Sequence, residues 1–230
     1  KKVRNNVDNA LKYMKQNNIN VISVFDDDYP QMLKEIYAPP ICLYIKGNLQ
    51  LLKMQNISLI GCRKCSQYGK KTAYYFSYNL SKAGFNIVSG LARGIDSYSH
   101  IGCLAAKGKT IAVMGSGLDN IYPKENEQLV NEIIKQNGAI ITQYPLGTKP
   151  EKNNFPARNR IISGLSKAVL VIEAKEKSGT LITVDFALEQ GKDVFAVPGN
   201  INSANSVGTN ELIKQGAIPV CNYKDILDNI

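Results

Sequence analysis

Four arginines, Arg63, Arg93, Arg158 and Arg160, stand beside turn glycines or just ahead of predicted helices. A guanidinium fork in such a position can grip a phosphate together with the free N–H groups of a helix start. Lys175 and Lys177 add charge to the same set, and Ser178-Gly179-Thr180 adds hydroxyl and backbone donors. The stretch Gly90 to Gly94 can form a second nest of backbone N–H groups. Phe155, three residues before Arg158, is either a platform on which a base stacks or a loop anchor buried against the domain. These turns are basic rather than acidic, so they suit anion binding better than proton transfer.

Other chemistries lack a complete set of residues. His100 is the only histidine, four residues after Asp96 on one helical face, where it serves a structural hydrogen bond as readily as catalysis. With no second histidine and no serine in a nucleophile elbow, triad chemistry has no candidates. Cys62-x-x-Cys65 follows a strand, as redox pairs do, but has no second pair to complete a zinc site. No metal and no cofactor is expected. GCLAAKGKT (Gly102 to Thr110) is one residue too long for a phosphate loop and runs into a strand. Gly115-Ser116-Gly117 is half of a dinucleotide fingerprint, without the acid expected about twenty residues on.

Composition agrees with a polyanionic partner: 28 Lys and Arg against 19 Asp and Glu give a formal charge of +9 over 230 residues. No apolar run is long enough to cross a bilayer, no secretion signal opens the chain, and the five cysteines form an odd set. A cytoplasmic protein with reduced thiols is expected, with no membrane partner. The chain opens on Lys1 rather than methionine, so flanking segments are expected.

Short apolar runs position these groups. They lie at Ile57 to Ile60, Asn86 to Val88, Thr110 to Met114, Ala139 to Thr142, Ala168 to Ile172, Asp193 to Val197 and Ala217 to Val220, with a helical segment between each pair. That alternation predicts an α/β domain, a doubly wound and mostly parallel sheet with helices on both faces. Ligands of such sheets bind beyond the carboxyl ends of the strands. Residues 1–50 differ: a helix-period stretch (Val7, Leu11, Met14), a strand from Asn20 to Phe25, a helix start at Tyr29-Pro30 and the run ICLYIKG. They are expected to form an N-terminal cap or extension of the sheet, and 51–230 the main domain. The connection Leu146 to Asn159 reads as an irregular loop of unusual length.

SGLARGID (Ser89 to Asp96), GSGLDNIYPKEN (Gly115 to Asn126), FPARNRIISGLS (Phe155 to Ser166), VIEAKEKSGTLIT (Val171 to Thr183) and VFAVPGN (Val194 to Asn200) resemble, in order, motifs of the DNA-processing protein A (DprA/Smf) family. The resemblance implies an extended Rossmann-like fold and single-stranded DNA binding by a homodimer without catalysis. It also implies help in loading the RecA recombinase during natural transformation. Carried over by position, the DNA site comprises Gly61, Arg63, Ser89, Gly90, Arg93, Phe155, Arg158, Asn159, Arg160, Lys175, Ser178, Gly179 and Thr180, and the dimer contact Leu212 and Ile213. Cys62 and Gln143 depart from the family, which usually has a small hydroxyl residue and a glutamate there. Two alternatives stay open: a nucleotide phosphoribohydrolase of related fold, using Glu173 or Glu189 in place of the missing turn carboxylate, and a nucleotide-sensing protein using the same rim.

Overall fold

A computed structural model describes residues 2–230, with side chains from residue 7 onward. Helix α1 (Lys2–Gln16) leads into β1 (Ile19–Ser23), the short α2 (Gln31–Lys34) and β2 (Cys42–Gly47). Strands and helices then alternate: β3 (Asn56–Gly61), α3 (Gln67–Lys82), β4 (Asn86–Ser89), α4 (Ile95–Ala105), β5 (Thr110–Val113), α5 (Glu127–Lys135), β6 (Ala139–Thr142) and α6 (Asn154–Gly164). The alternation continues through β7 (Ala168–Glu173), α7 (Gly179–Glu189), β8 (Asp193–Ala196), α8 (Val207–Lys214), β9 (Ile218–Pro219) and the short α9 (Lys224–Leu227).

The strands form one nine-stranded sheet in the order β1-β2-β6-β5-β4-β3-β7-β8-β9. From β3 to β9 every pairing is parallel, which requires a helix to carry the chain back each time. The antiparallel pairings are β1 with β2 and β2 with β6, through which the β1–β2 pair joins the sheet. At the other end β9 is two residues long and closes on Pro219, which has no N–H to offer.

Side chains alternate between the two faces, and both faces are covered. Along β3, Ile57 and Leu59 enter one core with Phe76 and Leu80 of α3, whereas Ile60 enters the other with Ile161 and Ile162 of α6. Along β7 the same split sends Leu170 and Ile172 to the first core and Val169 and Val171 to the second. Each fully buried Ile or Leu contributes about 1.5–3 kcal/mol relative to exposure.

The winding sets where a ligand can sit. From β3 the chain builds β4, β5 and β6 to one side, then α6 carries it back to β7 on the other side of β3. The carboxyl ends of β3 and β7 therefore flank the point where strand order reverses, the usual ligand crevice of such sheets. The register shifts there, between Ile60 and Gly61, by an irregularity in the β3–β7 ladder.

One expectation needs correction. The supposed irregular connection ends at 153, and Phe155, Arg158 and Asn159 belong to α6. Pro156 suggested a loop, but it stands in the first helical turn, where its missing N–H would have had no partner in any case.

Candidate functional site

At the reversal point lies a cleft of about 700 Å³. β3 ends on Gly61 and is followed by Arg63 and Lys64; after β7 come Lys175, Lys177 and the α7 start Ser178-Gly179-Thr180; α6 supplies Phe155, Arg158 and Asn159. Six cationic side chains line the cleft, Lys152 completing the set, against one carboxylate, Asp96. Ser178 caps α7 by accepting a hydrogen bond from the Thr180 N–H at 3.2 Å, and Asn159 reaches the Gly179 carbonyl at 3.4 Å. The helix start is thus fixed while its outer N–H groups face the cleft.

Arg63 is the exposed cation nearest an aromatic. Its guanidinium carbon lies 5.3 Å from the centre of the Phe155 ring, and among the described residues no carboxylate pairs with it. Phe155 is half-buried and also meets Tyr122, at 5.6 Å between ring centres with the planes tilted by 47°. Phe155 thus packs against Tyr122 and Gly115 while also lining the cleft.

Beneath this surface Asp96 and Arg158 both lie buried against the Gly90 turn. Asp96 accepts from the Gly90 N–H at 3.1 Å and the Ala92 N–H at 3.3 Å. Arg158, only 3% exposed, donates through Nη1 to the Gly90 carbonyl at 2.7 Å and to the Val113 carbonyl. A Cβ on Gly90 would lie 2.7 Å from Asp96 Oδ2 and 2.8 Å from Arg158 Nη2, so only glycine lets both ions press on this turn. Burial pulls the Arg158 guanidinium down to about 10, with Asp96 working against that shift. Burial pushes the Asp96 carboxyl up, opposed by Arg158 and by the hydrogen bonds it accepts.

Arg158 is therefore a support for the Gly90 turn and the end of β5, rather than a free hand for phosphate. Sequence spacing could not separate these uses, because both place an arginine at a strand end.

Gly94 joins the same turn to β3. Its φ is +75°, and a Cβ there would come within 2.3 Å of the Cys62 carbonyl oxygen. Gly94→Ala is expected to lose at least about 1–3 kcal/mol of stability by backbone strain alone, read as a lower urea midpoint at unchanged m-value.

Three expected site residues fall elsewhere. Ser89 is fully buried and its hydroxyl donates to the Leu59 carbonyl at 2.7 Å, tying β4 to β3. Arg93 sits on the neighbouring rim and is held by Glu125, with Nε to Oε1 at 2.5 Å and Nη2 to Oε2 at 2.7 Å. Arg160 projects from another side of α6 and donates to the Ala38 carbonyl at 2.9 Å and Gln143 Oε1 at 2.6 Å, apart from the cleft. One helical step of about 100° per residue separates Arg160 from its neighbours, so adjacency in sequence does not put them on one face.

Leu212 is 8% exposed and packed into the core, with Ile213 partly buried against the same core, so Leu212 offers no surface for a dimer contact. His100 hydrogen-bonds Thr110 Oγ1 at 2.7 Å rather than Asp96. Besides Lys64, which was not carried into the predicted site, the charged or aromatic cleft residues that sequence reading passed over are Lys152 and Tyr122. Their signals were a lysine within the long connection and an aromatic just before Pro123 in the segment after β5.

Sheet order, crossover pattern and a cleft at the strand reversal define an extended Rossmann-like protein. The matching family model, DNA recombination-mediator protein A, covers residues 20–230, and the chain belongs to this family. It is 44% identical over 222 residues to DNA processing protein DprA of Bacillus subtilis (strain 168), spanning 96% of this chain and 74% of that one. Among solved structures, DNA processing protein A (DprA) from Streptococcus pneumoniae superposes with a TM-score of 0.88 at 43% identity, covering 95% of this chain and 77% of that one. DNA processing protein A from Helicobacter pylori, whose structure is described in terms of its single-stranded DNA binding mode, gives 0.82 at 31% identity, covering 91% and 94%.

Proposed function

We propose that this chain is a non-catalytic single-stranded DNA-binding protein whose cleft at the β3–β7 reversal holds the phosphate backbone while Phe155 supports a base. The observation that carries this reading is the cleft's charge: six cations against a single buried carboxylate that is already engaged by backbone N–H groups. The family and the relative from Helicobacter pylori point the same way.

The carboxylates that a phosphoribohydrolase would need are committed elsewhere. Glu173 is 2% exposed and accepts from the Ser66 N–H at 2.9 Å, the Ser66 hydroxyl and Asn205 Nδ2. Glu189 lies beside Arg160 and Gln143, away from the cleft. Binding therefore accounts for the residues present better than hydrolysis does.

About five exposed contacts to phosphate, at a slope near 0.7 each on single strands, predict a roughly 100-fold loss of affinity between 50 and 200 mM salt. Fluorescence anisotropy with oligo-dT, duplex and mononucleotide across that series tests this. Equal binding of mononucleotide and oligomer, with no salt slope, overturns it.

Arg63→Ala is expected to weaken oligo-dT binding by about 1.5–3 kcal/mol and to flatten the slope by roughly 0.7, with stability unchanged. Phe155→Ala is expected to cost about 1–3 kcal/mol of binding while leaving the slope alone, because stacking releases no counterions. Anisotropy titrations of both variants separate the two contributions.

A homodimer and RecA loading are parts of the same proposal. The dimer contact should use exposed groups around α8, such as Val207 at 40% exposure, instead of Leu212. Sedimentation of the wild type and a Val207→Asp variant measures the first point. Assembly of RecA on DNA precoated with a single-strand binding protein, with and without this chain, measures the second.

A further inference from the structure

The outer face of α3 carries tyrosine and lysine where a surface helix ordinarily carries acids and lysines together. The helix buries Gly69, Ala73, Phe76, Ser77 and Leu80. At about 100° per residue, the opposite arc collects Tyr68, Lys71, Tyr74, Tyr75, Tyr78 and Lys82, and the helix has no Asp or Glu. Tyr68 is 54% exposed, Tyr74 40% and Tyr75 41%. Among the described residues, none of its lysines forms an ion pair.

These rings are ordered. Tyr74 and Tyr78, one turn apart, lie 6.0 Å between centres with planes only 17° from parallel. Lys82 Nζ stands 5.8 Å from the Tyr78 ring centre, and Lys70 Nζ stands 5.5 Å from that of Tyr98 on α4. Interleaved aromatics and unneutralised cations are what a single strand needs, flat faces for bases and charge for phosphates. An acidic protein surface would use the lysines but leave the parallel rings without purpose.

The face also begins where the cleft ends. Arg63 and Lys64 lead through the cap Ser66 directly into α3, whose arc from Tyr68 to Lys82 extends about 20 Å from that point.

We propose that the tyrosine–lysine face of α3 is a second track for single-stranded nucleic acid, taking up the strand after it leaves the cleft. The inference rests on the cleft being a single-strand site. The two regions then divide the work by length: a short oligomer fills the cleft alone, and a longer one also lies along α3.

The test uses oligo-dT of about six and about twenty nucleotides, one toward the short end of common single-strand site sizes and one beyond their long end. The variant is Lys71→Ser, Tyr74→Ser and Tyr78→Ser together, which leaves the buried side of α3 intact. Its thermal unfolding is compared with that of wild type. The variant is expected to bind the six-mer as wild type does and the twenty-mer about tenfold or more weaker. Terminal 5-iodouracil on the twenty-mer is expected to photocrosslink to the α3 peptide. Unchanged twenty-mer affinity, or crosslinks confined to the cleft peptides, overturns the second track. Arg63→Ala with the six-mer reports separately on the cleft, so failure there leaves a different signature from failure on α3. If the triple variant unfolds, crosslinking on the unmodified chain decides the question.

Discussion

An Arg158→Ala variant is expected to be about 2–5 kcal/mol less stable than the parent chain, the cost of leaving two buried carbonyls without their charged donor. The guanidinium touches two carbonyls that belong to different strand ends, Gly90 after β4 and Val113 in β5, and it faces Asp96. Truncation leaves those carbonyls short of a donor and removes the nearby positive charge that favours the Asp96 carboxylate. Urea unfolding measures the loss. DNA binding should fall with it, because the Gly90 turn slackens, whereas Arg63→Ala should keep full stability and lose affinity. An Arg158→Ala protein of unchanged stability whose salt slope drops by one phosphate would return Arg158 to the role its sequence position suggested.

The second large effect is acid sensitivity through His100. The ring is fully buried, hydrogen-bonded through Nδ1 to Thr110, with Nε2 lacking a partner among the described residues. Burial, assisted by the nearby Arg158 charge, lowers its pKa from 6.5 to about 3. The unfolded chain takes up a proton near pH 6.5 that the folded chain refuses until about pH 3. Stability present above pH 6.5 is therefore lost as pH falls through that window, by about 1.4 kcal/mol per pH unit well below 6.5.

The raised carboxyl of Asp96 acts in the opposite direction, so the informative quantity is a difference between proteins. Between pH 6 and 3, His100→Asn is expected to flatten the dependence of unfolding free energy on pH by about that slope. Parallel wild-type and variant curves would show that the ring becomes charged within the fold.

The strands were the most legible part of this chain because each is a short apolar run bounded by turn residues, and β6 falls at the bounds read from sequence. The reversal of strand order was not legible, since nothing in the apolar runs says that β4 and β7 take opposite sides of β3. α6 was obscured by Pro156, a breaker inside a helix but harmless in its first turn. For the cleft, residue type and position gathered Arg63, Lys175 and Ser178 to Thr180, all at strand ends or helix starts whose geometry is local. Reasoning of that kind cannot distinguish an arginine facing solvent from one locked inward. Arg63 follows a strand and Arg158 precedes an apolar helical run, both positions open to a ligand, and only the fold puts Phe155 beside one and Asp96 near the other.

The terminal strand β9 has a bearing on how copies of this chain can meet. A long bare margin invites main-chain pairing with a neighbour, and two residues closing on Pro219 provide almost no template for it. Subunits apposed at that end must adhere through side chains and can separate without tearing a shared ladder, which keeps such a junction reversible.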